Sequence, residues 1–199
     1  MDNHQIKGVF AVDNPKQNYY QKDFLESLCF FIETAMTREK EKKHLQNLSY
    51  VDSLTYAQNR NHFNEYLKKN RCKELHFVGV IYLDLNGLKE INDKMGHLAG
   101  DTLIISASYV LQEIFADNSY RIGGDEFVVI EQDVLESEFY SKYEMLLKRM
   151  KELEISVATG YIWKERCLNL SEILQAADQK MYEDKKRYYS IAQKDQRRR

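Results

Sequence analysis

The sequence predicts an α/β fold, a sheet covered by helices, on three observations. Residues 77–83, FVGVIYL, form a short continuous apolar run, as expected of a central strand buried on both faces. Around it, segments with apolar residues at helical spacing alternate with runs of β-type residues. The chain has 199 residues, 43% hydrophobic and 30% charged, enough to bury the core of one ordinary domain with some structure attached.

Taken in order, Ile6 to Val12 reads as a strand running into an Asp-Asn-Pro turn, because the residue before a proline disfavours helix. From Lys22 to Asn47 the positions Phe24, Leu28, Phe31 and Ala35 recur every three or four residues. The pattern thins through REKEKKH and resumes at Leu45 and Leu48. One face of that helix is apolar, which suits either packing on its own domain or pairing with the same helix of a second chain. The strand at Phe77–Leu83 follows. Leu88, Ile91 and Met95 then mark a helix, and Leu103, Ala107, Val110, Leu111 and Ile114 a longer one. A hairpin is expected through Gly123-Gly124, then a helix with Phe139, Tyr143, Leu146, Met150 and Leu153. A strand near Ile155 to Tyr161 and a helix with Leu170, Leu174, Ala177 and Met181 complete the unit.

A formal net charge of -2 gives no electrostatic case for a nucleic-acid surface, although Arg197-Arg198-Arg199 is a locally basic tail that reads as frayed and solvated. Cys29, Cys72 and Cys167 are far apart and show no metal-ligand spacing, so a reducing compartment is expected. No run approaches the roughly 20 apolar residues that span a bilayer. With no basic segment leading into an apolar stretch at the N-terminus, a cytoplasmic protein without a membrane segment is expected.

Chemistry concentrates in YRIGGDEFV, residues 120–128. The glycine pair fits a tight hairpin turn whose central residues both need φ > 0, and Asp125 and Glu126 could be simply its polar tip. Asp84 closes the apolar strand and could be simply a helix cap. Together the three carboxylates fit a different role. Clustered acids repel unless a cation sits among them, and hard oxygen ligands suit Mg²⁺, which keeps waters and shares its coordination with substrate phosphates. Gly123 and Gly124 would let backbone approach a phosphate or sugar closely.

Four motifs stand in order along residues 48–190: DSLTYAQNR at 52–60, DLNGLKEINDKMGHLAGD at 84–101, YRIGGDEFVVI at 120–130 and ADQKMYEDKK at 177–186. In this combination the chain resembles the GGDEF family, the diguanylate cyclases. The resemblance implies a nucleotidyl-cyclase-like fold with a central mixed sheet. It implies Mg²⁺ or Mn²⁺ bound by Asp84, Asp125, the carbonyl of Leu85 and Glu126. Asn92 and Asp101 would hydrogen-bond guanine, with His97 close by, and Lys89 and Lys185 would neutralise phosphate charge. Asp125 would also help deprotonate an attacking hydroxyl. In the family each subunit of a homodimer holds one GTP, and the 3′-hydroxyl of one attacks the α-phosphate of the other on the way to cyclic di-GMP. The alternative is a GTP-binding module that senses without catalysing.

Departures from the family pattern carry expectations of their own. Ile114 stands where the product-inhibition motif R-x-x-D has its arginine, with Asp117 at the acidic position, so feedback inhibition is expected to be weak or lost. Tyr56 and Ala57 replace the usual Gly-Leu, with Tyr56 expected to narrow the nucleotide pocket. Asn86 replaces an Asp, Leu88 a Phe, and Tyr189 a phosphate-pairing Arg. Residues 1–47 also resemble the last strand and signalling helix of a GAF sensory domain, which implies an upstream sensory domain as partner.

Overall fold

The computed structural model describes residues 21–48, 50–71 and 73–196. The chain divides into two compact units at Leu48/Ser49. In the first, helix α1 spans Gln21–Leu48, as the periodicity predicts. Phe30, Phe31 and Met36 stand exposed along it, Phe31 at 76%. The strand expected at Ile6–Val12 and the arginines at 197–199 lie outside the described residues.

The second unit is built on a mixed five-stranded sheet in the order β1-β3-β4-β2-β5. Its strands are β1 (Gln58–Asn59), β2 (Leu75–Leu85), β3 (Ser119–Arg121), β4 (Glu126–Glu131) and β5 (Val157–Cys167). The β1–β3 pair is parallel and the other pairs are antiparallel. Strand β2 is interior, between β4 and β5, and longer than its apolar run. Phe77 at its start is partly exposed with φ of 49°, so burial on both faces begins only at Val78. Strand β5 begins two residues later than expected and runs on to Cys167.

Side chains alternate across the sheet with period two, and each face takes its own helices. Ile81, Leu83, Leu85, Phe127 and Val129 pack against α4 (His97–Phe115) and α5 (Glu136–Glu152) through Ile104, Ala107, Leu111, Phe115, Phe139 and Leu146. Val78, Val80, Tyr120, Val128 and Ile130 pack on the other face against α2 (Arg60–Asn70) and α6 (Leu170–Gln196) through Phe63, Leu170, Leu174 and Ala177. The short helix α3 (Leu88–Met95) bridges β2 to α4. Met95 and Leu153, expected in the core, stand at helix ends and are exposed. Helix α6 continues through 191–196.

Helix α2 and strand β1 were not legible as elements. Asn59 caps α2, its side chain accepting from the N–H groups of Asn61 at 2.9 Å and His62 at 3.1 Å. Gly160 on β5 faces α6 so closely that a Cβ there would stand 2.0 Å from the carbonyl oxygen of Ala177 and 2.3 Å from the nitrogen of Met181.

Candidate active site

The ladder between β2 and β4 sets Asp84 directly opposite Glu126, and the N–H of Leu85 donates to the carbonyl of Asp125 at 3.1 Å. Four of the expected site residues, two adjacent pairs about 40 positions apart in sequence, thus meet at one end of this ladder. From α6, Lys185 Nζ donates to Asp84 Oδ2 at 2.6 Å. Asp84 is 2% exposed, and its other oxygen, Oδ1, is buried with no hydrogen-bond partner. Burial pushes its carboxyl above the ordinary range. The hydrogen bond from Lys185 opposes that shift, and the charges of Asp125 and Glu126 add to it. Burial by itself would lower Lys185, but its hydrogen bond and charge pairing with Asp84 outweigh this and raise it.

The hairpin is not the two-residue turn expected. Neither Gly123 nor Gly124 has positive φ. The N–H groups of Ile122 and Gly123 both donate to the carbonyl of Glu126, at 3.0 and 3.3 Å, closing a wider loop. What Gly123 supplies is room: a Cβ there would stand 2.4 Å from Glu126 Oε2, whereas a Cβ on Gly124 would meet nothing within 4 Å. The loop's shape is held by Arg121, whose Nη2 donates to the carbonyl of Gly124 at 2.8 Å and whose Nη1 pairs with Asp52 Oδ1 at 2.8 Å. Asp52 also accepts from the N–H and hydroxyl of Thr55. Burial raises the Asp52 carboxyl, but the hydrogen bonds from Arg121 and Thr55 more than offset it and hold it below its ordinary value. Sequence reasoning quoted both Asp52 and Arg121 inside motifs without giving them a role, since nothing local pairs residues 69 apart.

The expected base-binding residues form a second group on α3 and α4. Asn92 lies against Gly100, where a Cβ would stand 2.0 Å from its Oδ1, and Asp101 follows in the same turn. Asn92 Oδ1 is buried without a partner. His97 begins α4 and Lys89 lies in the first turn of α3; both are exposed. Between the two groups, Asn86 is buried and donates through its backbone and side chain to Ser156, at 2.9 and 3.2 Å, leaving its own Oδ1 without a partner. Tyr56 is 78% exposed, and its φ of 58° lies in the left-handed region that a glycine adopts freely. Ile114 packs against the core while Asp117 is exposed in a 3-10 turn, Ala116–Asn118. A cleft of about 290 Å³ lies beside the hairpin, lined by Asp52, Asn59, Arg60, Asn61, Arg121, Ile122 and Gly123; it includes none of the base-binding group.

Comparison with known families decides what this arrangement is. The model described as "Diguanylate cyclase, GGDEF domain" matches residues 49–189. The chain belongs to the GGDEF family. The chain is 30% identical over 185 residues to the probable diguanylate cyclase DgcI of Escherichia coli, covering 90% of this chain and 40% of that protein. It is 29% identical over 162 residues to the cyclic di-GMP phosphodiesterase PdeR of the same organism, covering 75% of this chain and 24% of that protein. The chain thus spans less than half the length of either relative. The coiled coil and GGDEF domain of DgcB from Caulobacter crescentus, solved in complex with c-di-GMP, shares the fold with a TM-score of 0.60 at 20% identity. That match covers 79% of this chain and 93% of the other.

Among the described residues no three His, Cys, Asp or Glu side chains already converge as a metal cage. The donor set nonetheless fits a hard cation. Asp84 Oδ1 is uncommitted, Glu126 stands opposite, and Asp125 is tied to the same ladder end. One or two carboxylates plus waters and phosphate oxygens is how Mg²⁺ is commonly held.

Proposed function

We propose that this GGDEF domain condenses two GTP into cyclic di-GMP, as a metal-dependent homodimeric enzyme. The observation that carries this is the buried Asp84 carboxylate, with one oxygen on Lys185, the other without a partner, and Glu126 across the rung. Keeping a carboxylate there costs stability unless a cation or protonated group answers it. Asp84, Asp125, Glu126 and the Leu85 carbonyl would hold Mg²⁺ or Mn²⁺, which when bound supplies Lewis-acid charge at the α-phosphate. Lys185 and Lys89 neutralise phosphate charge. Asp101 accepts from guanine N1–H and N2–H₂, a donor pattern adenine lacks, and the free Asn92 Oδ1 accepts a further base N–H.

In the reaction the 3′-oxygen of one GTP bonds to the α-phosphorus of the other, the bond to pyrophosphate breaks, and the hydroxyl proton passes toward Asp125. A second round closes the ring. Each nucleotide must be delivered by its own domain, so two copies face each other, and catalysis is mainly positioning and charge stabilisation. We assign α1 to setting that geometry under an upstream sensory domain, and the inhibitory site to loss through Ile114. No helix among the described residues is long and apolar enough to cross a membrane.

The test is incubation of the purified chain with GTP and Mg²⁺ or Mn²⁺, with chromatography for cyclic di-GMP and pyrophosphate and Asp125→Ala as control. Product from wild type alone, falling steeply on dilution, is expected. The match to PdeR, named for a phosphodiesterase activity, favours one second reading, a GTP-binding module without condensation. GTP binding with no product at high protein concentration would select it.

A further inference from the structure

We infer that Asp184 is a positioning residue that sets Lys185 on Asp84, a role that rests on the reading of that pair as the site's metal- and phosphate-handling groups. A lysine has a long flexible stem, so the place of its ammonium depends on the helix turn that carries it. That turn is fastened one residue earlier. Asp184 Oδ2 accepts a hydrogen bond from the Thr159 N–H at 3.1 Å. Thr159 stands opposite Leu83, and the preceding residue, Ala158, stands opposite Asp84. The anchor therefore falls one position from the rung that bears the carboxylate Lys185 reaches at 2.6 Å.

Thr159 is itself fixed from the other face of the sheet, where its hydroxyl shares a 2.7 Å hydrogen bond with the Tyr143 hydroxyl on α5. Among the described residues strand β5 stands at the sheet edge and pairs only with β2, so its outward N–H groups take partners other than those strands, and Asp184 is one of them. The Arg187 guanidinium lies 3.9 Å from Asp184 on the exposed side, a surface contact of little weight beside that bond. Asp184 touches no expected ligand. It acts through Lys185.

Calorimetric titration of the full chain with Mg²⁺ and 3′-deoxy-GTP tests this, because that nucleotide lacks the attacking hydroxyl and cannot turn over. Asp184→Leu should weaken binding about tenfold, in line with the sensitivity of such sites to ångström-scale misplacement. Asp184→Asn, whose amide oxygen still accepts from Thr159, should stay within about twofold of wild type. The double variant Asp184→Leu/Lys185→Ala should bind no more weakly than Lys185→Ala alone, since a residue acting through Lys185 has nothing further to lose. Additive losses, or an Asp184→Asn as weak as Asp184→Leu, would overturn the inference. If wild type binds no nucleotide, it is the GTP-site reading that fails. Asp184 is then judged by acetylation of Lys185 relative to its neighbour Lys186, read by mass spectrometry. Asp184→Leu should raise that ratio several-fold and Asp184→Asn should not; an unchanged ratio rejects the role.

Discussion

Gly160→Ala isolates the close docking of α6 on β5. The new Cβ would stand 2.0 Å from the Ala177 carbonyl oxygen and 2.3 Å from the Met181 nitrogen, both backbone atoms of a helix that cannot turn aside as a side chain could. Ordinary contact begins near 3.4 Å, so α6 must retreat by about 1.4 Å at Ala177. Overpacking of this kind costs ~1–3 kcal/mol. A gap of that size also forfeits much of the dispersion between Leu174, Ala177 and Met181 and the sheet. Loss of chain freedom in the unfolded state returns only about 0.4–1 kcal/mol. A net loss of ~1–3 kcal/mol corresponds to a melting temperature lower by roughly 3–10 °C for a chain of this size. The same retreat would stretch the 2.6 Å Lys185–Asp84 bond toward 4 Å, unless the lysine stem re-extends. Thermal and urea unfolding in the absence of nucleotide read the stability. A melting temperature within about 1 °C of wild type would refute the packing argument, whatever happens to activity.

The two hairpin glycines should part company. Gly123→Ala should push the Glu126 carboxylate aside by about 1 Å and cut GTP condensation on the order of 10²-fold with little change in melting, whereas Gly124→Ala should melt at or slightly above wild type; equal effects of the two on turnover would argue against the geometry. Tyr56→Gly should stabilise by ~0.5–1 kcal/mol in urea titrations, because relief of a left-handed backbone worth ~1–2 kcal/mol exceeds the added chain entropy and the exposed ring packs on little. The lowered Asp52 carboxyl contributes stability above its unfolded value of 3.8 that is lost as pH falls through its folded value. Asp52→Asn should therefore unfold at lower urea than wild type at neutral pH, with the gap closing below about pH 4; a gap independent of pH would exclude the ion pair as its source.

Much of the fold was legible because its period was. Strand β2 announces itself by an unbroken apolar run, and α4, α5 and α6 by apolar residues three and four apart. Helix α2 was not legible because RNHFNEYLKKN buries only Phe63 fully, too sparse a stripe to stand out, although Asn59 was a cap signal that could have been taken. The glycine pair misled because composition suggests a two-residue turn, while loop width is decided by Arg121 reaching both Gly124 and Asp52. Of the site, the three carboxylates were legible from the residues themselves as a cation-binding cluster, whereas Lys185 was visible only through family resemblance. The Lys185–Asp84 contact joins residues 101 apart, and no local pattern encodes it. Asn86 and Asp184 were passed over, the first counted only as a departure from the family pattern and the second unremarked, because their parts depend on what stands opposite on β5 and the turn before it.

The rung joining Asp84 to Glu126 belongs to the same ladder that pairs Leu83 with Phe127 and Ile81 with Val129. A one-residue slip of either strand would turn its own core residue, Leu83 on β2 or Phe127 on β4, toward the other face in the same stroke that turned its acid away from the other. Reactive groups and core therefore cannot drift separately in this domain. A hairpin grafted from a relative can be expected to transplant cleanly only if its loop has the same number of residues, while side chains around the loop remain free to vary.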